Sequence, residues 1–147
     1  MYNERSRTDS VRTPQYICDW VEDTFGKYYD PCPLIPNWSP TQHKNGLTTE
    51  WEDINFVNPP FSKGYLFLKK AYTQATDGKI VIFLCKISLL GRKCFQGMCD
   101  IVLFKKQIAF PGYGGRVPRF VCCLLIFHKN NQDKYYFFEK LAGLEFN

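Results

Sequence analysis

An apolar run, Ile54–Val57, leads directly into Asn58-Pro59-Pro60-Phe61. Two consecutive prolines offer no backbone N–H and hold φ near about −65°, so no strand continues through them and the chain leaves its sheet in a stiff shape. Such a turn presents one amide side chain, one backbone carbonyl outside the ladder and one aromatic face. It does so at the carboxyl end of a strand, where open α/β sheets bind their ligands. The amide oxygen and the carbonyl suit the two N–H bonds of a planar amine, and the ring suits its face. A nucleobase with an exocyclic amino group has that form.

Periodicity sets strands and helices alternating around this turn. Thr13-Pro14 opens a helix pattern, with Thr13 as N-cap and Pro14 at the first helical position. Tyr16, Ile17, Trp20, Val21 and Phe25 share one face, and Gly26 stops the pattern. Residues 27–30 read as a short strand entering Asp30-Pro31-Cys32-Pro33, and 34–52, with Asn45-Gly46, as loop. Residues 65–75 have helical spacing and break at Asp77-Gly78. Residues 79–85 form the continuous apolar run of a strand buried on both faces. A further helix is expected at 91–98, strands at 101–104 and 120–128, and an aromatic tail at 135–144. The alternation predicts an α/β fold, a mainly parallel sheet with helices on both faces. No helix pattern separates Phe104 from Phe120, which predicts a late antiparallel strand pair.

With 147 residues and 45% hydrophobic content, the chain has core enough for one domain, expected over 13–147 behind a polar arm at 1–12. Its 17% aromatic share exceeds what a small core consumes, leaving rings for stacking. The net charge of +5 is compatible with a polyanionic partner. Seven cysteines, an odd number with Cys122-Cys123 adjacent, read as reduced thiols of a cytoplasmic protein. No signal peptide or membrane span is visible. Cys94, Cys99, His43 and His128 lack metal-ligand spacing, so no metal is expected. Gly112, Gly114 and Gly115 form a loop cluster, not a phosphate-binding fingerprint, because no helix pattern follows them.

Three segments fall in a familiar order: Thr13-Pro14 before a helix, Asp30-Pro31-Cys32 after a strand, and Asn58-Pro59-Pro60-Phe61 after another. Together they resemble the phage-type DNA N6-adenine methyltransferases, which depend on S-adenosylmethionine. Asn45-Gly46-Leu47 followed by Trp51 is similar to that family's D-G-L-x-x-x-W segment. Gly115-Arg116-Val117 ahead of Phe120 resembles its glycine-arginine segment ahead of a phenylalanine. The resemblance spans about residues 12–127. It implies a Rossmann-like methyltransferase fold, acting in the host cytoplasm if the chain is viral or phage-encoded.

The resemblance also implies roles. Asn58 accepts one hydrogen bond from the adenine amino group and the Pro59 carbonyl the other, while Pro60 stiffens the turn and Phe61 stacks on the flipped base. Both acceptors direct nitrogen lone-pair density toward the sulfonium methyl, so in-line transfer proceeds through positioning and electrostatics. Thr13, Pro14, Asp30, Pro31, Cys32, Asn45 and Leu47 are the implied cofactor residues. Asn45 stands where the family often has an acid, and Pro33-Leu34 where larger relatives have a glycine-rich turn. Tyr113, Arg116, Arg119 and Lys63 are the candidate DNA contacts. A chain this short shows no target-recognition domain, so site selection falls to its loops, a partner subunit or a homo-oligomer. The same planar-amine chemistry fits RNA guanine N2 methyltransferases, which carry NPPF, and glutamine-amide protein methyltransferases, which carry NPPY. A non-catalytic nucleic-acid-binding domain of the same fold is the other class.

Overall fold

In the computed structural model, which describes residues 11–34, 39, 41–111, 120–131 and 133–138, the apolar runs pair into one mixed sheet. The elements in chain order are helix α1 (Gln15–Phe25), strand β1 (Ile54–Val57), helix α2 (Gly64–Thr76), and strands β2 (Ile80–Lys86), β3 (Asp100–Leu103), β4 (Cys122–Phe127) and β5 (Tyr135–Phe137). Short 3-10 turns occupy Phe61–Lys63 and Ile87–Gly91. The spatial strand order is β1-β2-β4-β3-β5.

The connections decide the strand directions. Parallel neighbours need a crossover, and α2 supplies one between β1 and β2, which pair from Ile54 with Ile80 to Val57 with Phe83. β4 runs antiparallel to both β2 and β3, and β5 adds beside β3 in parallel. The expected late antiparallel strand pair is seen in part: β3 and β4 run antiparallel, but β4 pairs over a longer stretch with β2, and the last strand, β5, adds in parallel. The expected mainly parallel sheet is not seen, because β4 inserts between β2 and β3 and makes two of the four pairings antiparallel.

Three local expectations also need correction. The helix expected at 91–98 is absent: Gly97 at φ 67° and Met98 at φ 58° lie in the left-handed region, which no α-helix tolerates. The strand at 27–30 shrinks to one bridge between Tyr29 and Asn55, with Gly26 at φ 98° before it and Pro31 after. Helix α1 starts one residue late, with Pro14 as its extended N-cap and no side-chain cap from Thr13. Of its expected apolar face Ile17 and Val21 are buried, while Tyr16 is 52% exposed. Val11, at the end of the expected polar arm, belongs to the core.

Strand alternation divides the core into two layers. Ile82, Leu84, Leu124, Ile126 and Val102 face one side, where Ile17 and Val21 of α1 pack. Val81, Phe83, Cys85, Leu125 and Phe127 face the other, where Phe67, Leu68 and Ala71 of α2 pack. β2 and β4 are therefore covered on both faces, as the unbroken apolar run of β2 predicts.

Buried polar groups tie the sheet to its flanks. Asn55 Nδ2 donates to the Glu52 and Ile80 carbonyls, while its Oδ1 accepts from the Glu52 N–H. Asp100 and His128 form a buried pair at 2.6 Å, and Asp100 Oδ1 also accepts from the Lys134 N–H. Gln74, 2% exposed on α2, accepts from the Trp51 N–H at 3.1 Å and from Lys79 Nζ at 2.8 Å. Lys79 also pairs with Glu50, holding that carboxylate below the usual range. Removing the Gln74 amide strands a buried N–H and weakens the hold on an ammonium. Gln74→Ala is expected to cost about 1–3 kcal/mol in urea denaturation, and an unchanged midpoint would show that water replaces the amide without loss.

Candidate functional site

The Asn58-Pro59-Pro60-Phe61 turn leaves β1 with its polar groups sorted. The Pro60 carbonyl accepts from the Lys63 N–H at 2.9 Å, which closes the 3-10 turn Phe61–Lys63. Among the described residues no donor reaches the Pro59 carbonyl. Asn58 Nδ2 donates to the Val11 carbonyl and to Thr13 Oγ1, each at 2.9 Å. Both amide hydrogens are spent on acceptors, which assigns the orientation of the amide. Its Oδ1 accepts nothing from the described residues. Two acceptors, one side-chain and one backbone, thus stand in adjacent residues at the end of a buried strand.

Two segments distant in sequence approach this turn, and a third packs against one of them. Thr13 reaches it through the hydrogen bond above, and its neighbour Pro14 is buried. Cys32 approaches it closely enough for the Asn58 backbone N–H to favour its thiolate slightly. Asp30 Oδ1 accepts from the Cys32 N–H at 3.0 Å, folding Asp30-Pro31-Cys32 into a side-chain-closed turn. Asn45 Oδ1 does the same for the Leu47 N–H at 3.0 Å, and Trp51 Nε1 donates to the Gly46 carbonyl at 2.8 Å. Gly46 lies so close beneath Pro31 that a Cβ on it would stand 1.9 Å from the Pro31 carbonyl oxygen. Thr13 thus bonds directly to the Asn58 side chain, while the Asn45–Leu47 loop packs on the Asp30-Pro31-Cys32 turn through Gly46.

Their electrostatics are distinctive. Crowding by surrounding protein raises the Asp30 carboxyl above the usual carboxylate range, although the residue keeps an open surface, and the Cys32 N–H only partly offsets this. No cation pairs with it among the described residues. A raised carboxyl binds its proton more tightly folded than unfolded. Its stabilising contribution is present below the ordinary value and is lost as pH rises through the raised one. Burial pushes the Cys32 thiol well above its ordinary value, so it is no thiolate nucleophile at neutral pH. Cys99 and Cys122 are pushed up to about 12 by burial, and all seven cysteines are free.

Within the turn itself, Phe61 is half-buried and meets the edge of Phe120 at 4.9 Å between centroids. Lys86 Nζ sits 4.4 Å from each of those ring centroids. A cavity of about 210 Å³ opens here between Pro59, Phe61, Gly64, Lys86, Leu89 and Arg92. Lys63 is exposed at the end of the 3-10 turn. Tyr113, Arg116 and Arg119 lie outside the described residues. Among those described, no His, Cys, Asp or Glu cluster suits a metal ion, and no helix is long and apolar enough to cross a membrane.

Sequence reasoning passed over Lys86, Phe120 and Arg92. The available signal was a lysine ending an otherwise apolar strand, parallel to the strand that ends at Val57, just before Asn58. Comparisons with protein-family models, curated proteins and solved structures find no match to this chain.

The fit of Gly46 against Pro31 makes a sharp test. Gly46→Ala must move one loop off the other, at a cost of about 1–3 kcal/mol for overpacking. Urea denaturation reads that cost, and a wild-type midpoint would show that the loops separate freely.

Proposed function

We propose that the chain is an S-adenosylmethionine-dependent methyltransferase acting on the N6 amino group of adenine in DNA, on a Rossmann-like sheet. One observation carries the reading. The Asn58 amide is anchored through its NH₂ to Val11 and Thr13, which leaves its oxygen free of described donors, next in sequence to a Pro59 carbonyl that no described donor reaches. An anchored pair of acceptors suits the two protons of a planar amine. It needs no reorganisation at the moment of reaction, which is how preorganised polar groups accelerate a step.

The cofactor residues fit the charge of the group they would hold. Asp30 is a crowded carboxylate without a cationic partner among the described residues, so a ligand carrying a positive sulfonium and ammonium would complement it. Asp30, Pro31 and Cys32, together with Thr13, Pro14 and the Asn45–Leu47 loop, would hold it. When bound, the cofactor supplies an electrophilic methyl group. Asn58 Oδ1 and the Pro59 carbonyl draw the amino protons and enrich the nitrogen lone pair, and the half-buried Phe61 ring orients the base. The DNA contacts assigned to Tyr113, Arg116, Arg119 and Lys63 remain part of the proposal.

The protein incubated with labelled S-adenosylmethionine and unmethylated DNA should yield N6-methyladenine on nucleoside analysis. Asn58→Ala should lower the rate by about 10²-fold or more, since one of two preorganised groups is gone. Label found only in RNA guanine or in protein would overturn the reading.

Phe61 separates stacking from packing. Phe61→Trp keeps a π-face and should retain measurable activity. Phe61→Ala should lose about 1–3 kcal/mol of DNA affinity if the ring stacks on a base. A stability loss of about 3–5 kcal/mol in Phe61→Ala, with the DNA affinity of the remaining folded protein unchanged, would assign the ring to the core.

A further inference from the structure

Beside the cavity at the Asn58 turn, the surface carries an open groove of about 590 Å³ lined by Tyr65, Lys69, Gly91, Arg92, Lys93 and Gln96. Three of these residues are cations and none is acidic. Among the described residues no carboxylate pairs with Lys69, Arg92 or Lys93. Uncompensated charges of one sign on a solvated surface repel one another, so their convergence around one concavity calls for an anion.

The groove is also held in shape. The Arg92 guanidinium lies 5.3 Å from the Tyr65 ring centroid and Lys69 Nζ lies 5.9 Å from it, so one ring fixes two cations. The wall at 92–97 is pinned to α2 by Tyr72, whose hydroxyl accepts from the Gln96 N–H at 2.7 Å and donates to the Gly97 carbonyl at 2.9 Å. The Phe95 N–H closes onto the Arg92 carbonyl at 3.0 Å. Cations ordered before binding lose less side-chain entropy when a ligand arrives. Arg92 lines both this groove and the cavity beside Pro59 and Phe61, so the two adjoin at that residue.

We infer that this groove binds the phosphodiester backbone of the DNA strand that carries the target base, with Lys69, Arg92 and Lys93 each taking a phosphate. The inference rests on the nucleic-acid reading above. It places the principal backbone contacts on the surface formed by α2 and the 92–97 segment. A run of phosphates matches three cations along an open groove, and the shared Arg92 leads from the backbone toward the turn that would receive the base.

The test uses the full chain, a fluorescent oligonucleotide as single strand and as duplex, and anisotropy titrations across about 50–200 mM salt. Lys69→Gln/Lys93→Gln should weaken binding and flatten the salt slope by about 1.4 for the single strand and about 1.8 for the duplex, two phosphate contacts being lost. S-adenosylmethionine binding measured by calorimetry should be unchanged. Lys27→Gln/Lys129→Gln removes the same charge from residues that line neither concavity and should keep the parent slope. An unaltered slope in the groove variant, or an equal loss in the control, overturns the groove and leaves the methyltransferase reading standing. A parent that binds RNA but neither DNA form overturns the DNA assignment and the groove together.

Discussion

Six consecutive cross-strand pairs join β2 to β4, from Val81 opposite Phe127 to Lys86 opposite Cys122. Side chains alternate faces along a strand, so a slip of one residue would send every member of each set to the wrong helix. In this register Ile82, Leu84, Leu124 and Ile126 lie under α1, while Phe83, Cys85, Leu125 and Phe127 lie under α2. The last pair matters most for the site. With Lys86 opposite Cys122, the chain entering β4 keeps Phe120 beside the lysine, and Phe61 completes the group. The cation between two rings is therefore a consequence of sheet register.

Charge is segregated around the Asn58 turn. Asp30, a crowded carboxylate with no cationic partner among the described residues, belongs to the segment that follows the Tyr29 bridge. Lys86 ends β2 and Arg92 belongs to the segment that follows it, and both line the cavity beside Pro59. Pairing Asp30 with either lysine or arginine would have stabilised the free protein modestly and neutralised both sites. Keeping them apart would leave the carboxylate for a cationic ligand and the two cations for a polyanion. On the proposed reading these are the cofactor and the nucleic acid.

Legibility in the sequence followed locality. Ile54–Val57 and the turn after it were readable because two prolines act on their own neighbours, whatever the rest of the chain does. Helix α2 and strand β2 were readable because each buries a long, regular pattern. The position of β4 between β2 and β3 was not readable, because strand order is settled by burying both faces of Cys122–Phe127, a property of the assembled sheet. The false helix at 91–98 and the lost strand at 27–30 have a common origin. Both sit beside glycines with positive φ, whose conformation leaves no mark on hydrophobic periodicity. Of the candidate site, the identities of Asn58, Asp30 and Thr13 were legible. The anchoring of Asn58 by the Val11 carbonyl was not, since a backbone group 47 residues away carries no side-chain signal.

Lys86 constrains how any base can stack on Phe61. Its ammonium stands 4.4 Å from both ring centroids, and such a contact contributes about 0.5–2 kcal/mol depending on how far it is desolvated. Stacking a base on an aromatic side chain contributes about 1–3 kcal/mol, which is the same order. If the base expelled the ammonium to water, most of the stacking gain would be offset. Net affinity therefore requires Lys86 to keep a partner in the complex, either the Phe120 ring alone or an anionic or acceptor atom of the nucleic acid. The second arrangement gains more, because a charged donor meeting an acceptor in a site with little water forms a stronger contact than a cation over a ring. On the proposed reading Phe61 and Lys86 would act as one unit, in which the ring offers its face to a base while the cation keeps Phe120 or turns to the nucleic acid.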